Sequence, residues 1–196
     1  MRLLPGYLSL DLQRGLVKKI RGVLDRVPLY SPAMPRSGSP YSVRMSNCGS
    51  HGWVSDRSGY RYTPEHPVTG APWPAMPQMI LDLWHEATGA GFAPQACLIN
   101  YYGPRARLGL HRDEDEEARE APILSISLGD TALFRIGGPE RRNPTRSVWL
   151  ASGDLIVLEG PSRNWFHGVD RILPHSSRLL PEGGRFNLTL RRVTLP

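Results

Sequence analysis

From Ala96 onward the chain reads ACLINYY (96–102), ARLGLH (106–111), PILSISL (122–128), TALFRI (131–136), RSVWLA (146–151), DLIVLE (154–159), RNWFHGV (163–169) and RFNLTLRRV (185–193). Each run is short, rich in β-branched or aromatic residues and punctuated by Gly, Pro or Asp, which is the signature of strands. Eight such runs in succession imply two sheets closed face to face as a jelly roll or barrel. Upstream the periodicity changes. Leu12, Leu16, Ile20, Val23, Leu24 and Val27 recur at helical spacing over residues 10–27, interrupted only by Gly15 and Gly22. Pro77 is placed to open a second helix, with Met79, Ile80, Leu83, Trp84 and Ala87 on one face and Gly89 and Gly91 to stop it. Between these helices lie 9 of the 19 prolines, from Pro28 to Pro77, so loops and short edge strands are expected there.

Composition narrows the function classes. The 196 residues are 40% hydrophobic and 21% charged, which excludes disordered and fibrous chains. No apolar run approaches the roughly 18 residues of a membrane span. The start MRLLPGYLSLDLQRG lacks a signal-peptide apolar region, so a soluble, cytoplasmic protein with no membrane partner is expected. Cys48 and Cys97 form no CxxC pair and are expected to be reduced thiols. The net charge is +6, and 22 of the 24 basic residues are arginine, Lys18 and Lys19 being the exceptions. Arginine's planar fork suits phosphate and carboxylate, which favours a nucleic-acid partner, although a GC-rich genome would produce the same bias.

Three strands carry same-face polar sets. His111 and Asp113 are two apart at the end of RLGLHRD and aim an imidazole and a carboxylate at one point. His167 follows in NWFHG, and two histidines with one carboxylate make the facial triad of non-haem Fe(II) oxygenases. An HxD pair alone is common by chance. In RFNLTLRR, Arg185, Asn187 and Arg191 share the face opposite Phe186, Leu188 and Leu190, and in LINYYG Asn100 and Tyr102 share another. A solvated outer face would give the same alternation. If all three faces instead line one cavity, a metal lies beside a site for a small dicarboxylate. His51, His66, His85 and His175 lack partners at metal spacing and read as surface or structural, Ser125 and Ser127 as strand packing, and no GxSxG or Walker motif is present.

LINYYGPRARLGLHRDED, PILSISLGDTALFRIGG, GDLIVLEGPSRNWFHGV and RFNLTLR, preceded by MSNCGSHGWVSDRSGYRY and PWPAMPQ, together resemble the AlkB family of Fe(II)- and 2-oxoglutarate-dependent dioxygenases over about residues 41–191. The resemblance implies a mainly β (α+β) fold, a double-stranded β-helix jelly roll. Residues 1–91 would then form N-terminal helices and a nucleotide-recognition lid, and residues 92–196 the dioxygenase core. It implies His111, Asp113 and His167 as iron ligands, with Arg185 on the distal carboxylate of 2-oxoglutarate and Arg191 on the carboxylate nearer the metal. Asn100, Tyr102 and Asn187 would support them. Trp53, Tyr60, Tyr62, Asp115 and Arg141 match the substrate side, with Arg36, Arg44, Arg57 and Arg61 adding charge to the lid.

The implied reaction uses Fe(II), 2-oxoglutarate and O2 to demethylate 1-methyladenine and 3-methylcytosine, mainly in single-stranded DNA and also in RNA or double-stranded DNA, releasing formaldehyde and succinate. Three readings compete with it: another substrate for the same fold, a catalytically silent nucleic-acid-binding member, and a zinc or manganese hydrolase. A monomer is the default. Departures from the family pattern are Glu114 in place of a lysine, and Leu158 and Glu159 in place of tryptophan and glycine.

Overall fold

Ser9 begins the first helix, its side chain accepting the Leu12 N–H at 3.3 Å. Helix α1 (Leu10–Leu24) continues through both glycines and buries Gln13, Leu16, Val17, Ile20 and Val23 on one side. It ends three residues short of Val27, which is nonetheless buried. Helix α2 (Gln78–Thr88) starts after Pro77 and stops at Gly89, whose φ of 69° is the left-handed cap that glycine adopts without strain. The computed structural model describes all 196 residues.

The strands are β1 (Arg2–Leu4), β2 (Arg44–Gly49), β3 (Gly52–Asp56), β4 (Gly59–Thr63), β5 (Ala96–Tyr102), β6 (Leu108–His111), β7 (Ile123–Gly129), β8 (Thr131–Ile136), β9 (Arg146–Leu150), β10 (Leu155–Leu158), β11 (His167–Leu173) and β12 (Arg185–Arg191). A six-stranded sheet in the order β1-β10-β7-β12-β5-β2 faces a four-stranded sheet, β6-β11-β8-β9, and β3 with β4 forms a separate hairpin. All pairings are antiparallel, giving the expected jelly roll. Both edge strands of the large sheet, β1 and β2, come from the first 91 residues, so backbone ladders join the two halves of the chain.

The large sheet is covered on both faces. Its outer side packs on α1 and α2 in a core that includes Leu16, Ile20, Ile80, Trp84, Cys97, Ile99, Phe186, Leu188 and Leu190. Inside the sandwich a second cluster holds Met45, Leu98, Tyr102, Phe134, Ile156, Leu158 and Val169. The alternation in RFNLTLR therefore separates a helix-packed face from an interior one, and the solvated face that its polar residues also suggest is absent. Cys48 and Cys97 are buried free thiols, direct partners across β2 and β5. No helix is long and apolar enough to cross a membrane.

Candidate metal and cosubstrate site

Antiparallel pairing brings the two histidines together: His111 in β6 and His167 in β11 are direct cross-strand partners, with ring centroids 4.6 Å apart. Each is oriented from behind. His111 Nδ1 lies 2.9 Å from the Gly109 carbonyl and His167 Nδ1 lies 3.0 Å from the Trp165 carbonyl. Carbonyls only accept, so both Nδ1 atoms carry the proton and both Nε2 lone pairs face forward. His111 Nε2 is 3.8 Å from Asp113 Oδ1, His167 Nε2 is 3.9 Å from Asp113 Oδ2, and the three ligand atoms lie within 4.8 Å of one another.

The electrostatics suit a cation. Burial, then the charge on His111, push the His167 imidazole down to about 4, leaving it neutral and ready to ligate. Burial alone would raise Asp113, but Arg191, then His167, His111 and Arg163, hold it well below the usual carboxylate range. Two imidazoles and one ionised carboxylate, with an open side, are the donor set of a non-haem Fe(II) centre.

A cavity of about 430 Å³ opens from this triad into the sandwich. Arg185, Asn187, Thr189 and Arg191 from β12 all line it, as do Asn100 and Tyr102 from β5. Arg185 is 1% exposed, and it donates to Ser127 Oγ at 2.7 Å and to the carbonyls of Asp130 and Leu150 at 3.2 Å. Burial lowers its guanidinium to about 10, so it stays charged at neutral pH. Asn187 Nδ2 donates to Ser125 Oγ at 2.7 Å, while its Oδ1 accepts from Thr189 at 2.9 Å. Arg191 donates to Asp113 Oδ2 from Nε at 3.2 Å and from Nη2 at 3.0 Å. Three buried polar atoms here lack partners: Asn100 Oδ1, Arg185 Nε and Arg191 Nη1. Two orphaned guanidinium donors in one cavity fit a dicarboxylate.

At the mouth, Trp53 stacks on Tyr60 with centroids 5.6 Å apart and ring planes 21° from parallel. Trp53 Nε1 donates to Asp115 at 2.8 Å, joining the β3–β4 hairpin to the metal loop. Arg141 donates to the Leu110 carbonyl at 2.8 Å and lies over Phe166, and it too borders the cavity. Tyr62 does not line the cavity; it is turned inward, its hydroxyl donating to Glu116. Arg36, Arg44, Arg57 and Arg61 are all exposed, Arg61 being paired with Asp56 at 2.7 Å.

The sequence alone gave no reason to single out Arg163 or Glu116, which are 2% and 3% exposed. Nor did it separate Ser125 and Ser127 from simple packing, although both orient the β12 side chains. His66 is structural: it is buried, and its Nδ1 accepts the N–H groups of Val68 and Thr69. The family departures also find places. Leu158 is buried in the cavity wall, and Glu159 pairs with Arg2 of β1.

The profile of the 2OG-Fe(II) oxygenase superfamily matches residues 1–191. An alpha-ketoglutarate-dependent dioxygenase AlkB homolog of Caulobacter vibrioides is 54% identical over 189 residues, covering 96% of this chain and 86% of that protein. The alpha-ketoglutarate-dependent dioxygenase AlkB of Escherichia coli is 43% identical over 182 residues, covering 91% and 83%. Among solved structures, OsALKBH1 superposes with a TM-score of 0.84 at 30% identity, covering 97% of this chain and 95% of that one. A jelly roll carrying an open His-Asp-His triad beside a cavity with two unpartnered guanidinium donors, with these similarities over nearly its whole length, places the chain in the AlkB family of Fe(II)- and 2-oxoglutarate-dependent dioxygenases.

Proposed function

We propose that this dioxygenase removes N-methyl groups from nucleic-acid bases, with 1-methyladenine and 3-methylcytosine in single-stranded DNA as its leading substrates and RNA or double-stranded DNA as further ones. The observation that carries this reading is the Trp53–Tyr60 stack at the mouth of the cavity that holds the triad. A base taken out of its strand needs an aromatic surface to replace the stacking it loses, and a deep site to enter. Such bases carry positive charge when methylated on a ring nitrogen, and the carboxylate of Asp115 lies at that mouth.

In this reading His111, Asp113 and His167 hold Fe(II), while Asn100, Tyr102, Arg185, Asn187 and Arg191 bind 2-oxoglutarate. When bound, iron and cosubstrate supply the oxidation that hydroxylates the methyl group, so that its carbon leaves as formaldehyde while 2-oxoglutarate becomes succinate and CO2. The protein's residues orient and exclude. The Trp165 and Gly109 carbonyls fix the imidazole rings. Arg185, held at three points, presents its unpartnered Nε to one carboxylate, and Arg191 presents Nη1 to the other. Asp115 locks the Trp53 indole, and Arg141, held by the Leu110 carbonyl, lines the same cavity.

Coupled turnover tests the substrate class. Succinate formation is expected to rise when a single-stranded oligonucleotide bearing one 1-methyladenine is added, with formaldehyde released in equal amount. The unmethylated oligonucleotide should leave it at the basal rate. Equal stimulation by both, or by neither, contradicts the assignment while leaving the dioxygenase intact.

A further inference from the structure

Behind the triad, four buried side chains close a ring. Arg191 Nη2 meets Asp113 Oδ2 at 3.0 Å, and Arg191 Nε lies 3.4 Å from Glu116 Oε1. Glu116 Oε2 meets Arg163 Nη2 at 3.0 Å, and Arg163 Nη1 returns to the backbone carbonyl of Asp113 at 2.8 Å. Arg163 Nε is spent on the Ala121 carbonyl at 2.8 Å, and the Tyr62 hydroxyl of β4 donates to Glu116 Oε1. Glu116 belongs neither to the triad nor to the β12 clamp, yet it is satisfied on both oxygens in a place where a charge is costly unless paired.

Its geometry makes it a competitor. Asp113 and Glu116 both draw on the Arg191 guanidinium, whose Nε lies 3.2 Å from Asp113 Oδ2 and 3.4 Å from Glu116 Oε1. Asp113 meets Arg191 through a single oxygen, and Glu116 is the second anion that fixes the guanidinium plane. We propose that Glu116, anchored by Arg163 and Tyr62, is a positioning residue that shares Arg191 Nε with Asp113 and holds the guanidinium plane so that Arg191 Nη1 stays aimed at the cosubstrate carboxylate. The proposal rests on the reading above, in which Asp113 ligates the metal and Arg191 the cosubstrate. Without the charge at Glu116, Asp113 alone holds the Arg191 plane, so the carboxylate of the triad and the donor Nη1 both lose a fixed orientation.

The test is binding rather than turnover. Calorimetric titration of Mn(II), and then of 2-oxoglutarate onto the Mn(II)-loaded protein, compares wild type with Glu116→Gln, Tyr62→Phe and Leu16→Ala. Leu16→Ala truncates the α1 core away from the ring, so it lowers stability alone. Glu116→Gln is expected to weaken both ligands roughly 10- to 100-fold, the usual cost of losing a group that orients a metal ligand. Tyr62→Phe should shift both in the same direction by less, and Leu16→Ala should bind as wild type does. Wild-type affinities in both ring variants, or an equal loss in Leu16→Ala, overturn the positioning role. Should Glu116→Gln fail to fold, Tyr62→Phe and Arg163→Lys are judged on the same criterion. A wild-type protein that binds neither ligand overturns the underlying metal and cosubstrate reading, and this proposal with it.

Discussion

Arg185 and Arg191 stand on one face of β12 but are held differently. Arg191 touches a metal ligand, whereas Arg185 touches only Ser127 and two carbonyls. Arg185→Leu should therefore weaken 2-oxoglutarate binding roughly 10- to 100-fold, the equivalent of about 1.5–3 kcal/mol for a lost charged hydrogen bond, with Mn(II) affinity unchanged. Equilibrium titration of each ligand checks the split. Trp53→Ala removes both the Tyr60 stack and the bond to Asp115, so it should raise KM for a methylated oligonucleotide by about 1–3 kcal/mol in binding terms and leave KM for 2-oxoglutarate unchanged. Steady-state kinetics with each substrate varied in turn separates the two. The polar face of β12 is legible in the sequence because strand alternation is a local rule, whereas Asp113 lies beyond the end of β6 and meets His111 from the loop that follows. Glu116 and Arg163 are not legible there, because a long-range ring made them partners: in the chain Glu116 is one acid in HRDEDEE, and only folding separates it, buried, from exposed Glu114.

Strands β6 and β11 place the histidines, and Gly168 lets them approach. A Cβ at Gly168 would lie 2.6 Å from the Leu108 carbonyl and 2.8 Å from that of Gly109, both backbone atoms of β6. Gly168→Ala should push β6 away, cost about 1–3 kcal/mol of stability through overpacking, and weaken metal binding by separating His111 from His167. A Cβ at Gly109 meets nothing within 4 Å, so Gly109→Ala is the matching control and should bind metal normally. Thermal melts with and without Mn(II) read both effects. The eight runs after residue 96 all contain strands, and the two helices lie close to their expected bounds. The Pro/Gly-rich segment yields short strands, as its composition suggests, but not their placement: β2 borders the large sheet while β3 and β4 stand apart as a hairpin. Three-residue β1 has no periodicity to read and is defined by its pairing with β10.

At the scale of the whole molecule, side-chain bonds tie the β3–β4 hairpin, the loop after β6 and β12 to one another: Trp53 to Asp115, Tyr62 to Glu116, and Arg191 to Asp113. A ligand that binds only the folded site stabilises all of it. At a hundred times its dissociation constant, Mn(II) should add about 2.7 kcal/mol, or roughly 5–10 °C in Tm for a domain of this size, and His111→Ala should abolish the shift. The net charge of +6 sets a second expectation: affinity for single-stranded DNA should fall linearly on a logarithmic scale as salt rises. The most direct measurement follows the mass of a single-stranded oligonucleotide carrying one 1-methyladenine, incubated with protein, Fe(II) and 2-oxoglutarate in air. Loss of one methyl group that requires 2-oxoglutarate and vanishes in His111→Ala is the expected result. An unchanged mass, under conditions where 2-oxoglutarate is still converted to succinate, would contradict the account.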